Sequence, residues 1–227
     1  MRRFMGPKRL WGSAGGPDED WVKPHVLWLP QREPQVMAYF RQLREIVERY
    51  PDVIAPIADD DLHLTVQSIE HHNEDGVRVA DEHLARAAAA VQRELDGLEP
   101  FDIEIGPARA GGSAGIVEIW PEAGPAELNR HVRAGLLSTG LVLPPEEKHF
   151  WPHMSCGYGV EDTTTAEAAV RSDMFASAIG RAIRPATRTR ATVSCVWLVW
   201  ERQVPERNTY TFERVHELHL GKGRAPS

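Results

Sequence analysis

Cysteine is scarce in this chain: Cys156 and Cys195 are the only two among 227 residues. Both fall in apolar, strand-like runs, which reads as buried thiols in a reducing cytoplasm rather than a disulfide framework. No apolar run approaches the roughly 20 residues of a membrane span. Arg2 and Arg3 lead into no hydrophobic stretch, so no secretory signal is expected and the predicted location is cytoplasmic. Positive charge is also short, with 26 Lys and Arg against 33 Asp and Glu and a net charge of −7. Sequence-independent binding of long nucleic acid relies on a basic surface that this balance does not supply; a nucleotide or RNA end held by a few groups is compatible with it. Gly111-Gly112-Ser113 is a turn with no Lys-Ser/Thr after it, so it is not a phosphate loop.

What is present is ordinary globular material, 42% hydrophobic and 26% charged, enough for one domain or two small lobes. Residues 1–22, rich in Gly and acidic side chains towards their end, read as a flexible arm. Residues 221–227 read as a flexible tail, and 23–220 as the folded domain. Apolar spacing predicts helices over 33–50, 77–95 and 125–137. Thr164-Thr165-Ala166-Glu167 fits a capping box opening a fourth helix that ends near Gly180. Strands are predicted at 26–29, 53–57, 62–69, 101–105, 116–120 and 150–158. A long strand over 189–200 then forms a hairpin with 208–220. Strands and helices interspersed in this way, with a hairpin late in each half, make the fold class α+β.

Two stretches carry the chemistry. His63-Leu64-Thr65-Val66 and His153-Met154-Ser155-Cys156 each place a hydroxyl residue two positions after a histidine. Side chains on a strand alternate faces, so each His and its hydroxyl partner share one face, while Leu62, Leu64 and Val66, or Met154 and Cys156, pack on the other. Random placement of 10 His and 19 Ser and Thr gives about one such pair in the chain. The weight comes from the context: both lie in apolar alternating runs, one in each half, and no other His has Ser or Thr two residues on.

These motifs, with Pro152 and Gly157-Tyr158 flanking the second and a closing hairpin built from 193–200 and 210–220, resemble the two-histidine (2H) phosphoesterase superfamily and its 2′-5′ RNA ligase-like members. The resemblance covers roughly 24–220. It implies a bilobal, pseudo-symmetric fold with two antiparallel sheets flanking a central cleft and helices outside. It further implies hydrolysis of a cyclic phosphodiester without metal or other cofactor. His63 and His153 are then the catalytic pair, and Thr65 and Ser155 the phosphate-binding hydroxyls. The implied partner is a nucleotide or RNA terminus bearing a cyclic phosphate; no membrane and no obligate protein partner are indicated.

The residues themselves suit that chemistry. Opening a cyclic phosphate needs a base for water and an acid for the leaving ribose oxygen, and two imidazoles with an ordinary pKa of ~6.5 can hold opposite protonation states near neutrality. Hydroxyl donors can meet the growing charge on the non-bridging oxygens. Tyr158 can reach a phosphate or stack on a base, although strict alternation from His153 points it to the core. Trp151 has the parity of His153 and is placed either to stack on a nucleobase or to pack. His71, His72 and His149 fit no zinc spacing and read as solvated loop residues. Arg181, Arg184, Arg188 and Arg190 form a local basic patch on a solvated face. Two alternatives stand beside the phosphodiesterase: a non-catalytic nucleotide- or RNA-binding module of the same fold, and a metallohydrolase using the extra histidines.

Overall fold

The computed structural model describes residues 1–181 and 188–221. The chain runs through β1 (Val22–Trp28), α1 (Pro34–Val47), β2 (Ile54–Pro56), β3 (Leu64–Ser68), α2 (Asp81–Leu95), β4 (Phe101–Ala110), β5 (Ala114–Trp120), α3 (Ala123–Leu137), β6 (His153–Gly159), α4 (Ala166–Arg181), β7 (Thr189–Val193), β8 (Cys195–Val204) and β9 (Thr209–His219). Each helix follows from its sequence. Proline sits in the first turn of α1, where its missing N–H costs nothing, and Val36, Met37, Phe40, Leu43 and Val47 form its buried stripe. Asp81 and Glu82 sit in the first turn of α2, favourably towards the helix dipole. At the start of α4 the Thr165 hydroxyl accepts the Ala168 N–H at 3.1 Å, so the cap is Thr165 rather than the predicted Thr164–Glu167 box.

The strands form one curled, antiparallel half-barrel in the order β7-β4-β5-β6-β3-β1-β8-β9, with β2 added to β6. It is a five-stranded half, β2 included, and a four-stranded half meeting at a single paired position, Leu64 on β3 with Met154 on β6. The two expected sheets are therefore joined, narrowly, at the two motifs. Helices α1 and α4 pack on the β4–β7 half, and α2 and α3 on the other. The main core lies beneath them. Leu62, Leu64, Val66, Met154 and Cys156 all point into it, as alternation requires; a second, small cluster of Leu27, Leu29 and Val199, with Phe212 packed against it, lies apart from it.

Two expectations change. The strand predicted over 189–200 is two strands: β7 pairs with β4, and after Ser194 the chain crosses to the other half, where β8 pairs with β1 and β9. The segment read as a flexible arm is docked. Phe4 and Met5 are buried, Phe4 stacks on Tyr158 at 3.7 Å, the Phe4 N–H bonds the Gly159 carbonyl, and Trp11 stacks on His25. Residues 222–227 of the expected tail, and Arg184 of the basic patch, lie outside the described residues. Arg188 and Arg190 both pair with Glu104. Both cysteines are free; burial pushes the Cys156 thiol up to about 12 and the Cys195 thiol up to about 11. No helix among the described residues is long and apolar enough to cross a membrane.

Candidate active site at the seam between the two halves

The Leu64–Met154 pair fixes the geometry of the site. Thr65 and His153 flank that pair on one side and His63 and Ser155 on the other, so the four motif residues surround the single paired position. Directly opposed Cβ atoms are about 5 Å apart and diagonal neighbours about 7–8 Å, which leaves His63 and His153 room for a tetrahedral group between them. The second motif is backed by β5, where Glu118 pairs with His153.

Both imidazoles are oriented by the same local bond. Nδ1 of His63 lies 2.7 Å from the Asp61 carbonyl, and Nδ1 of His153 lies 3.0 Å from the Trp151 carbonyl, in each case two residues upstream. A carbonyl only accepts, so Nδ1 carries the hydrogen and Nε2 is left as the nitrogen that gains or loses a proton. The chain reaches His63 from the single-turn helix 59–61 and His153 from the irregular segment 150–152.

Their surroundings differ. His63 keeps a partly exposed edge, yet protein closes around the rest, with Phe212 edge-on at 5.4 Å. Burial holds its pKa below the ordinary 6.5, outweighing the Asp61 carbonyl, and charge on His153 pushes the same way. His153 lies under a stacked Trp151, ring centroids 4.2 Å apart. The Trp151 indole N–H donates to Glu118 Oε2 at 3.0 Å, while Arg109 Nε donates to Glu118 Oε1 at 2.6 Å. Burial would raise the Glu118 carboxyl, but the Arg109 and Trp151 hydrogen bonds outweigh it and hold the group below the usual carboxylate range.

Thr65 and His153 open into a cavity of about 230 Å³ bounded also by Gln67, Arg133, Phe150 and Trp151. A larger cavity, about 620 Å³, is bordered by Phe212, the ring packed against His63, and by Asp18, His71, Arg78, Trp200, Arg202 and Glu213. It contains no residue of either motif, so size does not identify the site here. Tyr158, weighed as a substrate contact, is buried between Phe4 and Tyr210 and is a core residue, as its parity demands. Trp151 has its indole N–H and a ring face engaged by Glu118 and His153. His71 bonds the Asp20 carbonyl, and His149 is exposed and pairs with Glu122. Among the described residues, no three His, Cys, Asp or Glu side chains are grouped to hold a metal.

Sequence reading missed Glu118, which alternates with buried Val117 and Ile119 and was therefore findable as a side chain on the motif face. It also missed His25 and Glu201. Both are buried; His25 Nδ1 is 3.6 Å from Glu201 Oε2, an oxygen that has no hydrogen-bond partner. Their parity on β1 and β8 is visible in sequence, but their meeting depends on strand order.

The model of the 2′-5′ RNA ligase superfamily matches residues 30–205. No curated protein sequence matches the chain. Among solved structures, TT0787 of Thermus thermophilus is similar at a TM-score of 0.61 and 15% identity, over 89% of this chain and all of that one. E. coli LigT complexed with 3′-AMP aligns at 0.59 and 15%, over 87% of this chain and 97% of that one. The MHV ns2 PDE domain aligns at 0.51 and 11%, over 85% and 99%. At these identities the structures speak for the fold, and the family model, spanning well over half of the sequence, adds the lineage: the chain belongs to the 2′-5′ RNA ligase superfamily.

Proposed function

We propose that this protein hydrolyses a cyclic phosphodiester, the 2′,3′-cyclic phosphate of a nucleotide or RNA end, with His63 and His153 as the acid–base pair. The observation that carries the reading is the seam itself: two imidazoles, each with Nδ1 on a backbone carbonyl, each next in sequence to one of the two residues, Leu64 and Met154, at which the halves pair. Thr65 and Ser155 donate to the non-bridging oxygens, whose charge grows as water adds to phosphorus. The environments divide the roles. His63, whose burial favours the neutral form, takes the proton from water. His153, beside Glu118 and stacked on Trp151, takes the other role and gives its proton to the departing ribose oxygen. One P–O bond forms to water, one P–O bond to the ribose breaks, and the proton passes from one side to the other, so neither step calls for a metal. LigT, of similar fold, has been crystallised with 3′-AMP and with ATP, ligands of the nucleotide class proposed here.

The test is hydrolysis of nucleoside 2′,3′-cyclic phosphates and a cyclic-phosphate-ended oligonucleotide in EDTA, with the His63→Ala/His153→Ala protein alongside. Turnover that the double variant loses supports the reading. Turnover that survives it, or that EDTA abolishes, overturns it. A wild-type protein that binds these compounds without turning them over would be the nucleotide-binding module instead.

A further inference from the structure

Beyond the Leu64–Met154 pair the two strands separate towards Gln67 and Trp151, and α3 closes the resulting wedge. Asn129 donates to the Val66 carbonyl at 2.7 Å and to Gln67 Oε1 at 3.1 Å. One helical turn on, Arg133 Nη1 donates to the same Gln67 oxygen at 2.9 Å, and Nη1 and Nη2 both reach the Pro144 carbonyl at 3.3 Å. Gln67 is itself buried and tied to the Ser68 carbonyl. The guanidinium is thus held in place by two uncharged groups, the Gln67 amide oxygen and the Pro144 carbonyl, with Asn129 bracing Gln67.

What the guanidinium lacks is a counter-charge. Arg109, Arg190 and Arg202 each ion-pair with a carboxylate, whereas no carboxylate ion-pairs with Arg133 among the described residues. The acidic side chain that borders the same cavity, Glu147, is exposed at its rim. A planar cation with its orientation fixed and its charge uncancelled, facing a cavity shared with Thr65 and His153, is arranged for an anion with oxygens in the guanidinium plane. Gln67, which Arg133 touches, lies two residues past Thr65 on β3, with a β-bulge at Val66 between them. Arg133 therefore borders the cavity beside the histidines and not between them, a place suited to a neighbouring phosphate.

We propose that Arg133 is a binding residue for a second phosphate on the substrate, so that the preferred ligand is a nucleotide carrying a 5′-phosphate in addition to its cyclic phosphate. This rests on the phosphodiesterase reading for what occupies the seam, and it is tested by binding, without turnover. Adenosine 2′-monophosphate and adenosine 2′,5′-bisphosphate are titrated calorimetrically into the His63→Ala/His153→Ala protein, and then into the same protein carrying Arg133→Gln. The bisphosphate is expected to bind about tenfold tighter or more, as a charge-assisted contact provides, and Arg133→Gln to bring the ratio near one. Arg133→Lys, which keeps the charge but not the fork, should retain part of the preference and carries the test if the Gln variant does not fold. Equal affinities, no bisphosphate binding, or a preference that survives Arg133→Gln overturns the proposal. Failure of the phosphodiesterase reading shows separately, as a wild-type protein that turns over neither the 5′-phosphorylated nor the 5′-hydroxyl 2′,3′-cyclic nucleotide.

Discussion

His63 and His153 share one backbone bond and differ in everything around it, and the difference is measurable. His63 must be neutral to accept a proton, and burial lowers its pKa from the ordinary 6.5. A depressed pKa keeps the base form populated at lower pH, so the acid limb of kcat/KM is expected below 6.5. A limb at or above 6.5 would count against His63 as the base. Replacing either histidine by alanine should cost about 10²–10⁴-fold in kcat. Trp151 acts through His153, and its two contacts separate by substitution. Trp151→Phe keeps the stack and loses the bond to Glu118, while Trp151→Ala loses both. The expected order of kcat is wild type, then Phe, then Ala, with the alanine loss about 3–30-fold from cation–π energies and KM little changed. Equal loss in both variants would assign the effect to the Glu118 bond alone.

Among the elements, the seam between β3 and β6 decides whether the site exists. It is one paired position wide, so the strands beside it must hold their places. Gly157 on β6 is where β2 comes closest: a Cβ there would lie 2.7 Å from the Ala55 carbonyl oxygen and 2.8 Å from Ile54 Cγ1. Backbone cannot yield as a side-chain tip can, so Gly157→Ala should loosen β2 and cost about 1–3 kcal/mol as overpacking does, read as a lower melting temperature. An unchanged melting temperature would show that β2 is free to move aside. The motifs and the elements carrying them were legible because each rests on a local period: the stripe of α1, and the alternation around Leu64 and Met154. The division of 189–200 is written in the same kind of period. Ala191 and Val193 are buried, then Val196 and Leu198, and this slip from odd to even positions marks the break at Ser194. The docking of Phe4 and Met5 was not legible, since two adjacent apolar residues carry no period and their partner Tyr158 lies far along the chain. Arg133 belonged to a correctly predicted helix, but only the register at Gln67 shows what it faces.

For the molecule as a whole, the buried pair His25 and Glu201 ties stability to pH. The pair sits between β1 and β8, with Trp11 of the N-terminal segment stacked over the imidazole. Burial dominates for both groups. It lowers His25 from 6.5 to about 3 and raises Glu201 from 4.5 to about 8, so near pH 6 both are neutral in the folded protein. The unfolded chain binds more protons at His25 between about 3 and 6.5, so that group makes stability rise with pH there. The folded chain binds more protons at Glu201 between 4.5 and about 8, so that group makes stability fall as pH rises, with its burial penalty absent below 4.5 and complete above about 8. The two slopes oppose each other from 4.5 to 6.5, and above 6.5 Glu201 acts alone. Glu201→Gln keeps the shape and cannot ionise. Wild type should therefore lose melting temperature between pH 6.5 and 8.5 relative to this variant, at about 2–4 °C for each ~1 kcal/mol in a chain of this length. Parallel curves for the two proteins would mean that Glu201 ionises at its ordinary pKa inside the fold, and that the unpartnered Oε2 is reached by water after all.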